Sequence, residues 1–154
     1  MRRLFLKNLL TAWPLAAFGT LGLFSRRAAA AETAAAETVK VVYHFADGRA
    51  QAARGLANIA NHLRAEPGVK IVAVALADGI SFLLNGAVDG NGRPFERKVA
   101  ALAERGVEFR VCNNTLQAHD VPAERLLPQT TLVPSGVAEI ARLQAREGYV
   151  YLRP

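Results

Sequence analysis

Few side chains in this sequence can do covalent or proton chemistry. There is one cysteine, Cys112, and there are three histidines, His44, His62 and His119. A single thiol excludes an intramolecular disulfide framework and any Cys-rich zinc or iron–sulfur site. No histidine stands two or four residues from another histidine or from Cys112, so no local chelating pair is present. A mononuclear metal site would have to assemble Cys112, His119 and His44 from separate parts of the chain. No spacing signal favours that, and the expectation is no metal and no cofactor. His62 lies mid-helix beside Asn61 and reads as a surface or packing residue.

Cys112 carries the most chemical information. It directly follows a predicted strand, Val107–Val111, and precedes Asn113-Asn114-Thr115, residues that cap helices and shape turns. A thiol at a strand's carboxyl end and a helix's start feels the positive end of the helix dipole. That lowers its pKa and raises its thiolate fraction. The other reading is a small buried hydrophobe with no chemistry. On the reactive reading Cys112 is the nucleophile. Backbone N–H groups at Asn113 and Asn114 stabilise its charge, Thr115 completes the binding turn, and His44 or His119 moves protons. Asn113-Asn114-Thr115 also matches a glycosylation sequon, by chance. Gly90-Asn91-Gly92 lacks the spacing of a phosphate-binding loop and reads as a flexible loop.

The elements that must hold these residues alternate. Val39–Phe45 is β-branched and aromatic and ends at Asp47-Gly48, a strand followed by a turn. Residues 50–65 place Ala52, Ala53, Leu56, Ile59, Ala60 and Leu63 on one helical face, and Glu66-Pro67-Gly68 stops it. Val69–Ala77 is nearly all apolar, as a strand covered on both faces should be. Ile80–Leu84 is a short apolar helical piece that calls for a partner on each side. A helix through Phe95, Val99 and Leu102 leads to strand Val107–Val111. Thr131–Val133 is a fourth strand. Residues 136–147 form a helix capped by Ser135, with Val137, Ile140, Ala141 and Leu143 on its buried face, and Tyr149–Leu152 is the last strand. Strand–helix alternation of this kind predicts a single α/β domain over 39–154, with about five mainly parallel strands covered by helices on both faces.

Charge is unevenly distributed. The chain holds 19 Lys+Arg against 13 Asp+Glu. Residues 1–31 contribute five of those bases and no acid, so the rest is nearly neutral and a nucleic-acid partner loses its electrostatic support. Those residues have a basic start, an apolar middle from Leu9 to Phe24 and a small-residue end, the layout of a signal peptide. Arg2-Arg3-Leu4-Phe5-Leu6-Lys7 resembles the twin-arginine translocation motif. The expectation is cleavage between 30 and 36, a disordered leader up to 38 and a periplasmic folded part, with membrane contact only through the signal before cleavage. Trp13 and Met1 leave with the signal, which removes any methionine-ligated haem or copper site.

Four stretches together resemble the DsrE/DsrF-like family. They are Val41–Phe45 with the helix through Asn58 and Asn61-His62-Leu63; Gly106–Leu116, including Val111-Cys112-Asn113-Asn114-Thr115-Leu116; Leu127-Pro128; and Val133–Ile140 running on through Leu143-Gln144 and Glu147-Gly148-Tyr149. The likeness covers nearly all of 39–154 and is most specific for an exported, single-domain branch. It implies a five-stranded α/β sheet and assembly into dimers, trimers or hexamers. In the DsrE and TusD sulfur-relay proteins, a cysteine after the corresponding strand accepts sulfur as a persulfide, and Cys112 falls at that position. Two functions follow as expectations. One is a periplasmic persulfide carrier of sulfurtransferase type with an unknown sulfur donor and acceptor. The other is a non-catalytic oligomeric module that binds a small ligand or partner. A haem or metal chaperone is a third and weaker reading.

Overall fold

Side chains alternate across a strand, so a strand covered by helices on both sides serves two cores. A computed structural model describes residues 38–154. The export signal expected at 1–31 and nearly all of the leader expected at 32–38 lie outside the described residues. The elements are β1 (Lys40–Phe45), α1 (Gly48–Ala65), β2 (Lys70–Ala75), a 3₁₀ segment (Ala77–Leu83), α2 (Phe95–Ala103), β3 (Glu108–Cys112), α3 (Asn113–Ala118), β4 (Thr130–Val133), α4 (Gly136–Glu147) and β5 (Val150–Leu152). All strand pairs are parallel, in the order β4-β3-β2-β1-β5. The expected five-stranded α/β domain with helices on both faces is the observed one.

The larger core joins Val41, Tyr43 and Phe45 of β1, Ile71, Ala73 and Ala75 of β2, and Phe109 and Val111 of β3 to α1, α2, the 3₁₀ segment and Leu116 of α3. Phe82 stands at its centre, with ring centroids 5.0 Å from Phe45, 5.8 Å from Phe95 and 6.4 Å from Phe109. The opposite parity, Val42, Val72 and Val74, meets Ile140 and Leu143 of α4. The chain's winding explains this division. From β1 to β4 it steps across the sheet in one direction, and parallel crossovers are almost always right-handed, so the helices between those strands share a face. The step from β4 back to β5 reverses direction, and α4 lands on the other face.

Two local readings are corrected. Val137 is 67 % exposed and Ala141 is exposed, so α4 buries Gly136, Ile140 and Leu143 instead. The apolar face is narrower than the sequence predicts because α4 alone covers its side of the sheet and touches it along one seam. Ile80, Phe82 and Leu83 are buried within the larger core, so the Ile80–Leu84 piece needs no second molecule to cover it.

The loop expected to be flexible, 85–94, is organised around a buried carboxylate. Asp89 Oδ1 accepts the N–H groups of Asn91 at 2.9 Å and Arg93 at 3.0 Å, and its Oδ2 meets Arg93 Nε at 3.1 Å and Lys98 Nζ at 3.5 Å. The Arg93 N–H acts most strongly; burial opposes it, the Asn91 N–H and the Arg93 guanidinium reinforce it, and the carboxyl is held down to about 2. A carboxyl depressed in the folded state adds stability above its unfolded pKa of about 4, and that stability is lost as pH falls toward the folded value. Asp89→Asn is therefore expected to melt below wild type at pH 6, with the two converging as pH falls from 4 to 2. Circular-dichroism melts at each pH read this directly, and a constant gap across that range would contradict it.

Candidate functional site

Cys112 is the last residue of β3 and the N-cap of α3, with extended backbone angles. It is 5 % exposed. On β3 it shares parity with Arg110 and therefore faces the α4 side of the sheet. Its neighbour across the ladder is Val133 of β4, after which Pro134-Ser135 turns the chain into α4. Consecutive neighbours β3 and β4 thus send their helices to opposite faces. The carboxyl ends of both strands, and the starts of the two helices that follow them, lie at this one edge of the sheet. Two helix starts converge there on one sulfur.

Burial pushes the Cys112 thiol up, but four donors outweigh it and the net direction is down: the Thr115 hydroxyl and the N–H groups of Gly136, Thr115 and Asn114. None closes a full cap hydrogen bond on the neutral thiol. They act on its charged form, which hydrogen-bond donors favour. The Thr115 hydroxyl is itself set in place, because its oxygen accepts the Ala77 N–H at 3.0 Å. Ala77 holds a positive φ of 46° at the end of β2, a costly backbone for a residue with a Cβ, and this aims its N–H at Thr115. The Asn114 N–H also reaches the Pro134 carbonyl at 3.3 Å, which ties the two helix starts together. Ser135 caps α4 as expected, accepting the Ala138 N–H at 3.4 Å.

Gly136 is the residue that sequence reasoning missed. A Cβ built there would lie 2.9 Å from Leu76 Cδ2 and 3.1 Å from Cys112 Cβ. Only a residue without a side chain lets the α4 backbone come down onto the thiol. Its signal was a glycine at the first position of a helix already capped by serine, which helix propensity does not favour.

The other candidates are placed differently. Asn113 was expected to donate its N–H to Cys112; the donors are Asn114 and Thr115, because an N-cap side chain faces the N–H groups two and three residues on. Asn113 instead lines a cleft of about 580 Å³ with Leu116, Gln117 and Val121. His119 is the C-cap of α3 and is exposed. A six-residue helix rises about 9 Å, so His119 sits at the far end from the thiol. His44 is on the α4 side of β1, level with Val74 and, beyond it, Arg110. Two strand spacings, about 10 Å, separate it from β3. Its Nδ1 pairs with the Tyr151 hydroxyl at 2.8 Å, and its Nε2 is buried without a partner among the described residues. Burial and then Arg153 push its pKa down against Asp47. Cys112, His44 and His119 therefore do not meet, and no cluster of three or more metal-ligating side chains occurs among the described residues. His62 bonds the buried Tyr43 hydroxyl at 3.0 Å, a packing role.

A family model described as DsrE/DsrF-like matches residues 38–154, with the thiol cradle near its middle. The chain belongs to the DsrE/DsrF-like family. Solved structures agree on the fold. A protein of unknown function, MTH1491 from Methanobacterium thermoautotrophicum, is 31% identical, with 75% of this chain and 99% of that one covered and a TM-score of 0.67. The ychN protein from E. coli is 16% identical over 76% and 98% of the two chains, with a TM-score of 0.59. BT1422 from Bacteroides thetaiotaomicron is 12% identical over 75% and 94%, with a TM-score of 0.56. No curated protein matches the chain. The DsrE/DsrF-like domain is thus the whole of the described fold.

Proposed function

We propose that this DsrE/DsrF-like chain is a sulfur carrier that takes up sulfane sulfur on Cys112 as a persulfide. The observation that carries the reading is the place of the one thiol, at the N-cap of α3 and packed against Gly136, the first residue of α4, with the neighbouring N–H groups drawing its pKa down. Such donors favour an anionic sulfur over a neutral one, and the anion is the nucleophile. In the transfer, the Cys112 thiolate attacks the outer sulfur of a donor persulfide. A sulfur–sulfur bond forms at Cys112 as the donor's sulfur–sulfur bond breaks, and the donor departs as its thiolate. The proton stays on the transferred sulfur, and nothing is oxidised or reduced overall. Thr115, Asn114 and Gly136 hold the charge on Cys112 before the step, and the departing donor thiolate carries it away. The histidines take no part.

The reading includes a periplasmic site of action, supported by the Arg2-Arg3-Leu4-Phe5-Leu6-Lys7 signal, and a homo-oligomer. The oligomer is supported by the family resemblance and by the apolar side chains left exposed at Val137, Val150, Tyr151 and Leu152. The burial of Cys112 favours the second reading, a non-catalytic oligomeric binding module.

Intact mass of protein isolated from the periplasm separates the two. The carrier is expected to show a species about 32 Da heavier, one added sulfur atom, that disappears on reduction. In parallel, alkylation of Cys112 followed against pH is expected to have its midpoint well below the free-thiol value of about 8.5. Absence of the adduct after exposure to persulfide donors, together with slow alkylation at every pH, would establish the binding module.

A further inference from the structure

The first turn of α4 must stay in register with β3 if the Gly136 backbone is to remain packed on Cys112, where an added Cβ would lie 3.1 Å from Cys112 Cβ, and Gly136 has no side chain with which to anchor itself. The apolar contacts of α4, Ile140 and Leu143, lie one and two turns further on. One polar contact joins that first turn to the sheet. Arg110 of β3 pairs with Glu139 of α4, the two side chains 17% and 11% exposed. Arg110 precedes Cys112 by two residues and so lies on the same face of β3. Glu139 follows Gly136 by three and so lies on the same face of α4. The helix is therefore held to the strand at two adjacent points, Gly136 over Cys112 and Glu139 over Arg110.

We propose that the Arg110–Glu139 ion pair is a positioning device that holds the α4 start over the reactive thiol. Apolar contacts tolerate sliding, whereas a guanidinium–carboxylate contact is directional. The pair is also braced from both elements. Glu108 on β3 holds Arg110 at 2.6 Å, and Arg142 on α4 holds Glu139 at 2.8 Å while also pairing with Glu147. Tyr149, after α4, is also turned toward these charges, and Lys40 of β1 reaches the Glu147 carbonyl at 3.0 Å and lies over the Tyr149 ring. The inference rests on the sulfur-carrier reading for its purpose, but its test does not require sulfur loading.

Through-space charge and positioning predict different results. Removing a negative charge near a thiol lowers its pKa, whereas withdrawing an N–H donor raises it. The alkylation midpoint of Cys112 is measured against pH in the wild-type chain, in Glu139→Gln and in Glu139→Asp, with a melt to confirm folding. Asp keeps the charge but shortens the reach. Positioning predicts that both variants raise the midpoint by about half to one pH unit, slowing alkylation below it about three- to tenfold. If Glu139→Gln does not fold, Glu139→Asp alone reads the effect. An unmoved midpoint in Glu139→Asp, or a lowered one in Glu139→Gln, overturns the positioning role and leaves the carrier reading standing. A wild-type midpoint at or above that of a free thiol overturns both.

Discussion

Cys112→Ser is expected to abolish persulfide loading completely while moving stability by less than about 1 kcal/mol. Loss of loading follows from the chemistry, since a serine hydroxyl is not an acceptor for sulfane sulfur. The small stability effect follows from the cradle. Cys112 is 5 % exposed, and burying a hydroxyl without partners costs roughly 1–3 kcal/mol. Here the hydroxyl replaces sulfur among the N–H groups of Asn114, Thr115 and Gly136, at an N-cap where serine is among the preferred residues. Cys112→Ala removes the acceptor sulfur as well and leaves a small cavity at a buried position, at a cost of about 1 kcal/mol. Thermal melts of both variants, read beside their intact masses after exposure to a persulfide donor, check the prediction. Serine melting well below alanine would mean that the donors do not reach the sulfur position.

Gly136→Ala should separate reactivity from stability. The added Cβ meets Leu76 Cδ2 at 2.9 Å and Cys112 Cβ at 3.1 Å, so the start of α4 must lift by a few tenths of an ångström. Overpacking costs about 1–3 kcal/mol, and replacing glycine in a helix returns about 1 kcal/mol. The melting temperature is expected to fall only slightly. The thiol should respond more, because the lifted turn carries the Gly136 N–H away from the sulfur. Its alkylation midpoint should rise and its sulfur loading near neutral pH should slow several-fold. Gly136→Val, with two further carbons in the same space, should enlarge both effects. A Gly136→Ala chain with unchanged alkylation at every pH would show that the α4 start contributes nothing to the thiol.

The order of strands and helices was legible in the sequence because each element carried its own local signal. Val69–Ala77 was nearly all apolar and contains the central strand β2. Leu56, Ile59 and Leu63 kept helical spacing and are buried. Cys112 could be placed at the end of β3 and the start of α3 because strand, thiol and capping residues are contiguous. The role of Asp89 was not legible because nothing local distinguishes a loop residue facing water from one whose carboxylate is buried and partnered by Arg93 and Lys98.

The sequence by itself determined the fold class, the single thiol and the helix start that follows it, since all three depend on residue types and spacings of a few positions. Only the tertiary structure decided what surrounds that thiol. The reversal of winding between β4 and β5 sends α4 to the face opposite α3, and this brings Gly136, twenty-four residues after Cys112, onto the same sulfur. The strand order also keeps His44 two strands away. Spacing along the chain sets which residues share a strand or a helix turn. Which helix starts meet depends on strand order and crossover direction, and these are properties of the assembled sheet.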